Sequence, residues 1–117
     1  MSWGYHLALD CSGCTPESIR SSKHIKEFSH KLVKAIDMVP YGECQVVHFG
    51  SDNKMGFTLV QLISTSNLCA HFVEEDNSMY LDVFSCKPYD TKTVIDTVKE
   101  YFGCPFITTH YFERQAP

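Results

Sequence analysis

The sequence predicts an α+β fold, a two-layer sandwich in which a mainly antiparallel sheet is covered on one face by two helices. Three observations predict it. Four strand-like runs, 43–50, 57–64, 68–73 and 79–86, follow one another across short polar connections, which favours antiparallel pairing. Two segments, 22–38 and 91–102, repeat apolar residues at helical spacing. With 117 residues, 44% of them hydrophobic, the chain suits one domain over 1–117 with a genuine core.

Each element has its own signature. "YHLALDC" (5–11) is apolar-rich and stopped by Ser12-Gly13, so it reads as the first strand. "TPESI" (15–19) places Thr15 before Pro16, the start of a helical turn. Over 22–38, Ile25, Phe28, Leu32 and Ile36 form one stripe, and most of the lysines fall elsewhere around the cylinder. Pro40 and Gly42 close that helix. "ECQVVHFG" (43–50) is a strand and "SDNKMG" (51–56) a turn-rich loop. "FTLVQLIS" (57–64) carries Phe57, Leu59 and Ile63 on one face and Val60 and Leu62 on the other, the pattern of a strand buried on both sides. One of those sides could meet a second sheet from a partner chain. "LCAHFV" (68–73) and "MYLDVFSC" (79–86) are strands joined by the acidic turn "EEDNS" (74–78). Asp90 is an N-cap for a helix over 91–102, and Gly103 stands where a C′ glycine belongs. "FITTHYFER" (106–114) is the last strand.

The composition excludes several classes. The formal charge is −4 and no long block of Lys or Arg appears, so nothing points to nucleic acid. No apolar run reaches the length of a membrane span. The N-terminus lacks the pattern of a signal peptide, so a cytoplasmic protein with reduced thiols is expected for the six cysteines. Cys11 and Cys14 form a C-x-x-C pair. No second pair and no His pair at finger spacing accompanies it, so no metal site is expected.

The segment "STSNLCAHF" (64–72) holds the densest set of reactive groups. Three hydroxyls, Ser64, Thr65 and Ser66, precede Asn67, Cys69 and His71. Such hydroxyls commonly make only turn and cap hydrogen bonds. They also permit one special reaction. A serine Oγ can attack the preceding carbonyl and convert the amide to an ester. Loss of the serine α-proton then breaks the chain, and hydrolysis of the resulting dehydroalanine leaves a pyruvoyl group. That carbonyl can take up a substrate amine and draw electrons during decarboxylation. The cut needs a base and oxyanion donors. His71 is the candidate base, and Thr58 and Asn67 are candidate donors.

Three segments, in order, carry a family resemblance. "GYHLALDCSGC" (4–14), "TSNLCAHF" (65–72) and "YLDVFSC" (80–86) resemble the opening strand, the processing segment and the later "VDVFTC" strand of the small, bacterial-type S-adenosylmethionine decarboxylases. The resemblance covers nearly the whole chain. It implies a proenzyme that cuts itself between Thr65 and Ser66 and a pyruvoyl cofactor derived from Ser66. It also implies decarboxylation of S-adenosylmethionine for spermidine synthesis, and a homodimer that pairs sheet to sheet. By the same resemblance Ser66 is the pyruvoyl precursor, His71 the processing base, Cys86 the proton donor and Thr58 a processing hydroxyl. Phe49 matches a base-stacking phenylalanine, and Asn67 and Glu74 are further candidates for the substrate. Two positions depart from the family pattern: Thr65 stands where the family has Glu, and Asn67 where it has His. Those departures keep open the same chemistry on ornithine or arginine, and an uncleaved binding or regulatory protein. His71 and Cys86 could also be plain core residues, and Cys11 with Cys14 a thiol redox pair.

Overall fold

The structure, a computed structural model, describes residues 2–117. Six strands form one antiparallel sheet: β1 (Gly4–Ser12), β2 (Gln45–Phe49), β3 (Gly56–Ile63), β4 (Ser66–Val73), β5 (Ser78–Ser85) and β6 (Phe106–Arg114). Their order across the sheet is β2-β3-β4-β5-β1-β6. Three α-helices, α1 (Pro16–Ile19), α2 (Ser22–Ala35) and α3 (Thr91–Phe102), and a short 3-10 helix at Asp52–Lys54 make up the other regular elements of the described residues. The two-layer α+β architecture expected from the sequence is the one observed.

Period-two alternation decides what each strand buries. Leu7 and Leu9 of β1, Leu59 and Ile63 of β3, Leu68, Ala70 and Phe72 of β4, and Leu81 and Val83 of β5 face the helices and are buried. Ile25, Phe28 and Leu32 of α2 and Val94, Val98 and Phe102 of α3 meet them. The aromatic centre is tight: Phe102 lies 4.8 Å from Phe28 and 5.1 Å from Phe72 between ring centroids. Edge-on and tilted rings at such distances add to the area they bury.

The helix ends follow from local chemistry. Ser21 accepts a hydrogen bond from the His24 N–H at the start of α2, and Asp90 accepts one from the Lys92 N–H at the start of α3. Gly103 closes α3 with φ of 81°, as its position in the sequence implied. The other long helix ends earlier than the 22–38 expectation. Asp37 takes φ of 61°, and the Met38 N–H turns back to the Val33 carbonyl, which closes the helix without a glycine.

The reading of 57–64 as buried on both sides needs correction for the single chain. The helices cover one face only. On the other, Val60 is half-buried and Leu62 is 53% exposed. The second face is open because no element among the described residues crosses it.

Candidate functional site

A two-residue turn, Ser64 and Thr65, joins β3 to β4, and Ser66 is the first residue of β4. The turn is held from the side. Ser64 N–H donates to the Val39 carbonyl at 3.1 Å, and Tyr41 N–H to the Leu62 carbonyl at 2.9 Å. Ser66 is paired with Ile63 on one side and Ser85 on the other.

Around Ser66 the hydroxyls and the thiol form a small network. Ser66 Oγ donates to Ser85 Oγ at 2.8 Å. Ser85 Oγ, fully buried, also accepts from the Lys87 N–H at 2.9 Å. Its own proton points to Met38 Sδ at 3.8 Å. Thr65 Oγ1 lies 2.7 Å from Cys86 Sγ. A cavity of about 460 Å³ opens here, lined by Ser64, Thr65, Ser66 and Asn67 with Trp3, Tyr41 and Phe84. The Thr65–Ser66 bond is therefore accessible at a turn, next to two hydroxyls and a thiol and beneath aromatic walls.

A second cluster sits toward the other end of the same strands. Thr58 and His71 are partners in the β3–β4 register, and Thr58 Oγ1 lies 3.1 Å from His71 Nδ1. Both line a separate cavity of about 340 Å³ with Phe49, Phe57 and Tyr80. Phe49 is 57% exposed at the edge strand, free to present its ring. Beyond it, Glu74 is taken up by His48, whose Nε2 lies 2.7 Å from its carboxylate.

The structure thus divides the residues named from the sequence. It brings together Ser66, Asn67 and Cys86. It brings together Thr58, His71 and Phe49, and sets Glu74 past them. It does not join the two sets. Ser66 and His71 are five residues apart on one strand, which is roughly 17 Å at the usual rise. Their odd separation also sends the two side chains to opposite faces. Phe49 stands by His71 rather than by Ser66, because β2 pairs only with the outer flank of β3.

Sequence reasoning missed Ser85 and Trp3. Ser85 could have been found by pairing 66–73 with 78–85, since the register places it opposite Ser66. No local signal marked Trp3. It reaches the cavity only because its ring packs 5.9 Å from Phe84, two strands away from the turn. The open face further carries two histidine–acid pairs, His6 with Asp82 at 3.1 Å and His110 with Asp10 at 3.0 Å.

Comparison with known proteins gives a consistent result. The family model described as S-adenosylmethionine decarboxylase matches residues 5–115. A protein of Clostridium botulinum strain Langeland, named S-adenosylmethionine decarboxylase proenzyme, is 30% identical over 98 residues, 83% of this chain and 81% of its own. One of Pyrococcus furiosus with the same name is 28% identical over 112 residues, 95% of this chain and 78% of its own. The crystal structure of the adenosylmethionine decarboxylase from Aquifex aeolicus superposes with a TM-score of 0.84. It covers 99% of this chain and 93% of that one at 20% identity, a likeness of fold.

Proposed function

The chain belongs to the S-adenosylmethionine decarboxylase family, and from that premise we propose that it is a self-cleaving, pyruvoyl-dependent decarboxylase of S-adenosylmethionine serving spermidine synthesis. The observation that carries the reading is the place of Ser66, at the head of β4 behind a two-residue turn and on the wall of the larger cavity.

This geometry supports the following cut. Ser66 Oγ attacks the Thr65 carbonyl carbon. Its proton has a ready acceptor in Ser85 Oγ. The Thr65–Ser66 C–N bond breaks as the ester forms, and the Ser66 amine is released. Removal of the Ser66 α-proton expels the Thr65 carboxylate, and water then replaces the nitrogen, which leaves as ammonia. The products are 1–65, ending in a carboxylate, and 66–117, beginning in a pyruvoyl group. The register pairs from Thr58–His71 to Ile63–Ser66 keep β3 and β4 together after the turn is opened.

The residues present fit such a group, since its position is flanked by Asn67 and Cys86 and faces an aromatic-walled space. When formed, it supplies the electrophilic carbonyl that draws off electrons as carbon dioxide leaves. Cys86, in contact with Thr65 beside the turn, would deliver a proton to the substrate carbon. Trp3 and Phe84 offer π faces to a sulfonium or a purine.

The base and second hydroxyl come from a partner copy. Within one chain Thr58 and His71 are too far from Ser66 and on the opposite face. The open face exposes Leu62, Tyr80 and Phe112, apolar area that a second sheet would cover. A two-fold dimer with its open faces together can set the partner's Thr58 and the partner's His71 at each Ser66 turn, with the partner's Phe49 beside them. Thr65 and Asn67, the departures from the family pattern, flank the cut and shape the same cavity. We place the enzyme in the cytoplasm, in line with thiols kept reduced.

The test is the intact mass of purified protein, followed by carbon dioxide release from S-adenosylmethionine, ornithine and arginine in parallel. Fragments 1–65 and 66–117 with release from S-adenosylmethionine alone support the reading. A single uncut mass overturns it and leaves a binding protein. Release from ornithine or arginine instead overturns the substrate.

A further inference from the structure

Three thiols that the proposed chemistry does not use meet behind the sheet. Cys11 is on β1, Cys14 lies in the turn that follows it, and Cys104 stands between α3 and β6. All three are buried. Cys14 Sγ and Cys104 Sγ are 2.7 Å apart, across a sequence separation of 90. Cys11 is the third thiol of the group, and the neighbouring Cys104 pushes its pKa up. The backbone holds the arrangement in place: Cys14 N–H donates to the Asn77 carbonyl at 2.9 Å and Thr15 N–H to the Phe102 carbonyl at 2.8 Å.

We propose that Cys14 and Cys104 form a reversible disulfide that staples the turn after β1 to the end of α3, with hydrogen peroxide or a related peroxide as the oxidant. The sulfurs need to close by well under an ångström to reach the bond length of about 2.05 Å. Thiolates around a tetrahedral zinc stand about 3.7 Å apart, so this spacing suits a bond between sulfurs rather than a shared metal. Hydrogen bonds from the Cys11 and Cys14 thiols hold Cys104 well below the usual thiol range, and the same contacts together with burial push Cys11 and Cys14 up. Cys104, which faces both other thiols, is the one of the three favoured to ionise, and the thiolate is the nucleophile. Cys11 lines a cavity of about 240 Å³ with Asp10, Ser12 and Asp76, which brings open space to the edge of the trio.

The step balances. Cys104 Sγ attacks one peroxide oxygen, the O–O bond breaks, and water leaves with a sulfenic acid formed on Cys104. Cys14 Sγ attacks that sulfur, gives up its proton and expels a second water. Two thiols are oxidised by two electrons and one peroxide is reduced to two waters. If the chain is cut after Thr65, which rests on the function proposed above, Cys14 lies in the first fragment and Cys104 in the second. The disulfide then joins the two fragments covalently. It does so at the end of β1 away from Ser66, about 20 Å along the sheet from the Tyr5–Ser85 pair.

The experiment treats the purified full-length protein with one equivalent of hydrogen peroxide. The protein is then acid-quenched, denatured, alkylated and mapped by peptide mass without reductant. A Cys14–Cys104 linked peptide is expected, with a loss of about 2 Da, restored by dithiothreitol. The oxidised form should also melt higher than the reduced one by about 5 °C or more, because the bond closes a long loop in the unfolded chain. The map reads the same in cut and uncut protein, so failure of self-cleavage does not affect it. Full alkylation of Cys14 and Cys104, oxidation confined to Cys86 or Cys69, or an unchanged melting temperature would overturn the proposal.

Discussion

The serine end and the histidine end of the β3–β4 hairpin are built from the same two strands, yet they hold different halves of a chemistry. At the turn, Ser66, Thr65, Ser85 and Cys86 supply a nucleophile, a scissile bond and a thiol within hydrogen-bond reach. At the far end, Thr58 and His71 supply a hydroxyl–imidazole pair beside an exposed Phe49. The turn is pinned from the side by 39–41; the Ser66 side chain is on the covered face while the cavity at the turn opens among Leu62, Asn67 and Phe84 of the open face, where the histidine also lies. The difference teaches that one chain carries both sets of candidate residues and does not bring them together. A strand cannot bring residues five apart together, because its backbone is already extended.

The hardest break of this comparison is Ser66→Ala. It removes the only oxygen that can attack the Thr65 carbonyl, and the expected outcome is complete loss of fragments 1–65 and 66–117 by intact mass. Complementation comes next. Co-expressing Ser66→Ala with His71→Ala chains should restore cleavage in the His71→Ala chain only, when its partner keeps His71. With random pairing in a two-fold dimer roughly a quarter of all chains are cut, and no cleavage in the mixture would place both halves in one chain after all.

The two faces differ in stability as the two ends differ in chemistry. Phe72→Ala empties a space between Phe102 and the sheet and should lower unfolding stability by about 3–5 kcal/mol in urea titration. Leu62→Ala, on the open face, should change monomer stability by less than about 0.5 kcal/mol while weakening self-association in sedimentation. The smallest effect is at the helix layer. Asp90→Ala loses the cap on the Lys92 N–H and should cost about 1 kcal/mol with no change in cleavage.

Much of this was legible in the sequence. The Ile25, Phe28, Leu32 stripe marked α2 because a buried helix face repeats every three to four residues. Asp90 and Gly103 bounded α3 because only such residues suit its ends. Ser66, Asn67 and Cys86 were named from the sequence and stand near one another at the β3–β4 turn, whereas His71 and Thr58 do not. The start of β4 was less legible. Ser66 and Asn67 are polar, and hydrophobicity marks a strand only where it is buried, so the sequence signal begins at Leu68 while β4 begins at Ser66.

What the sequence determined by itself was therefore local: the elements, their apolar faces and the inventory of nucleophile, histidine and thiols. These are set by side-chain type and by periods of two and 3.6 residues, which act within a few positions. Only the tertiary structure decided the rest. It paired Ser66 with Ser85, brought Cys104 against Cys14 across 90 residues, and put His71 on the opposite face from Ser66. Those outcomes depend on strand order and register, and register is a contest among whole faces seeking burial, which no single segment contains.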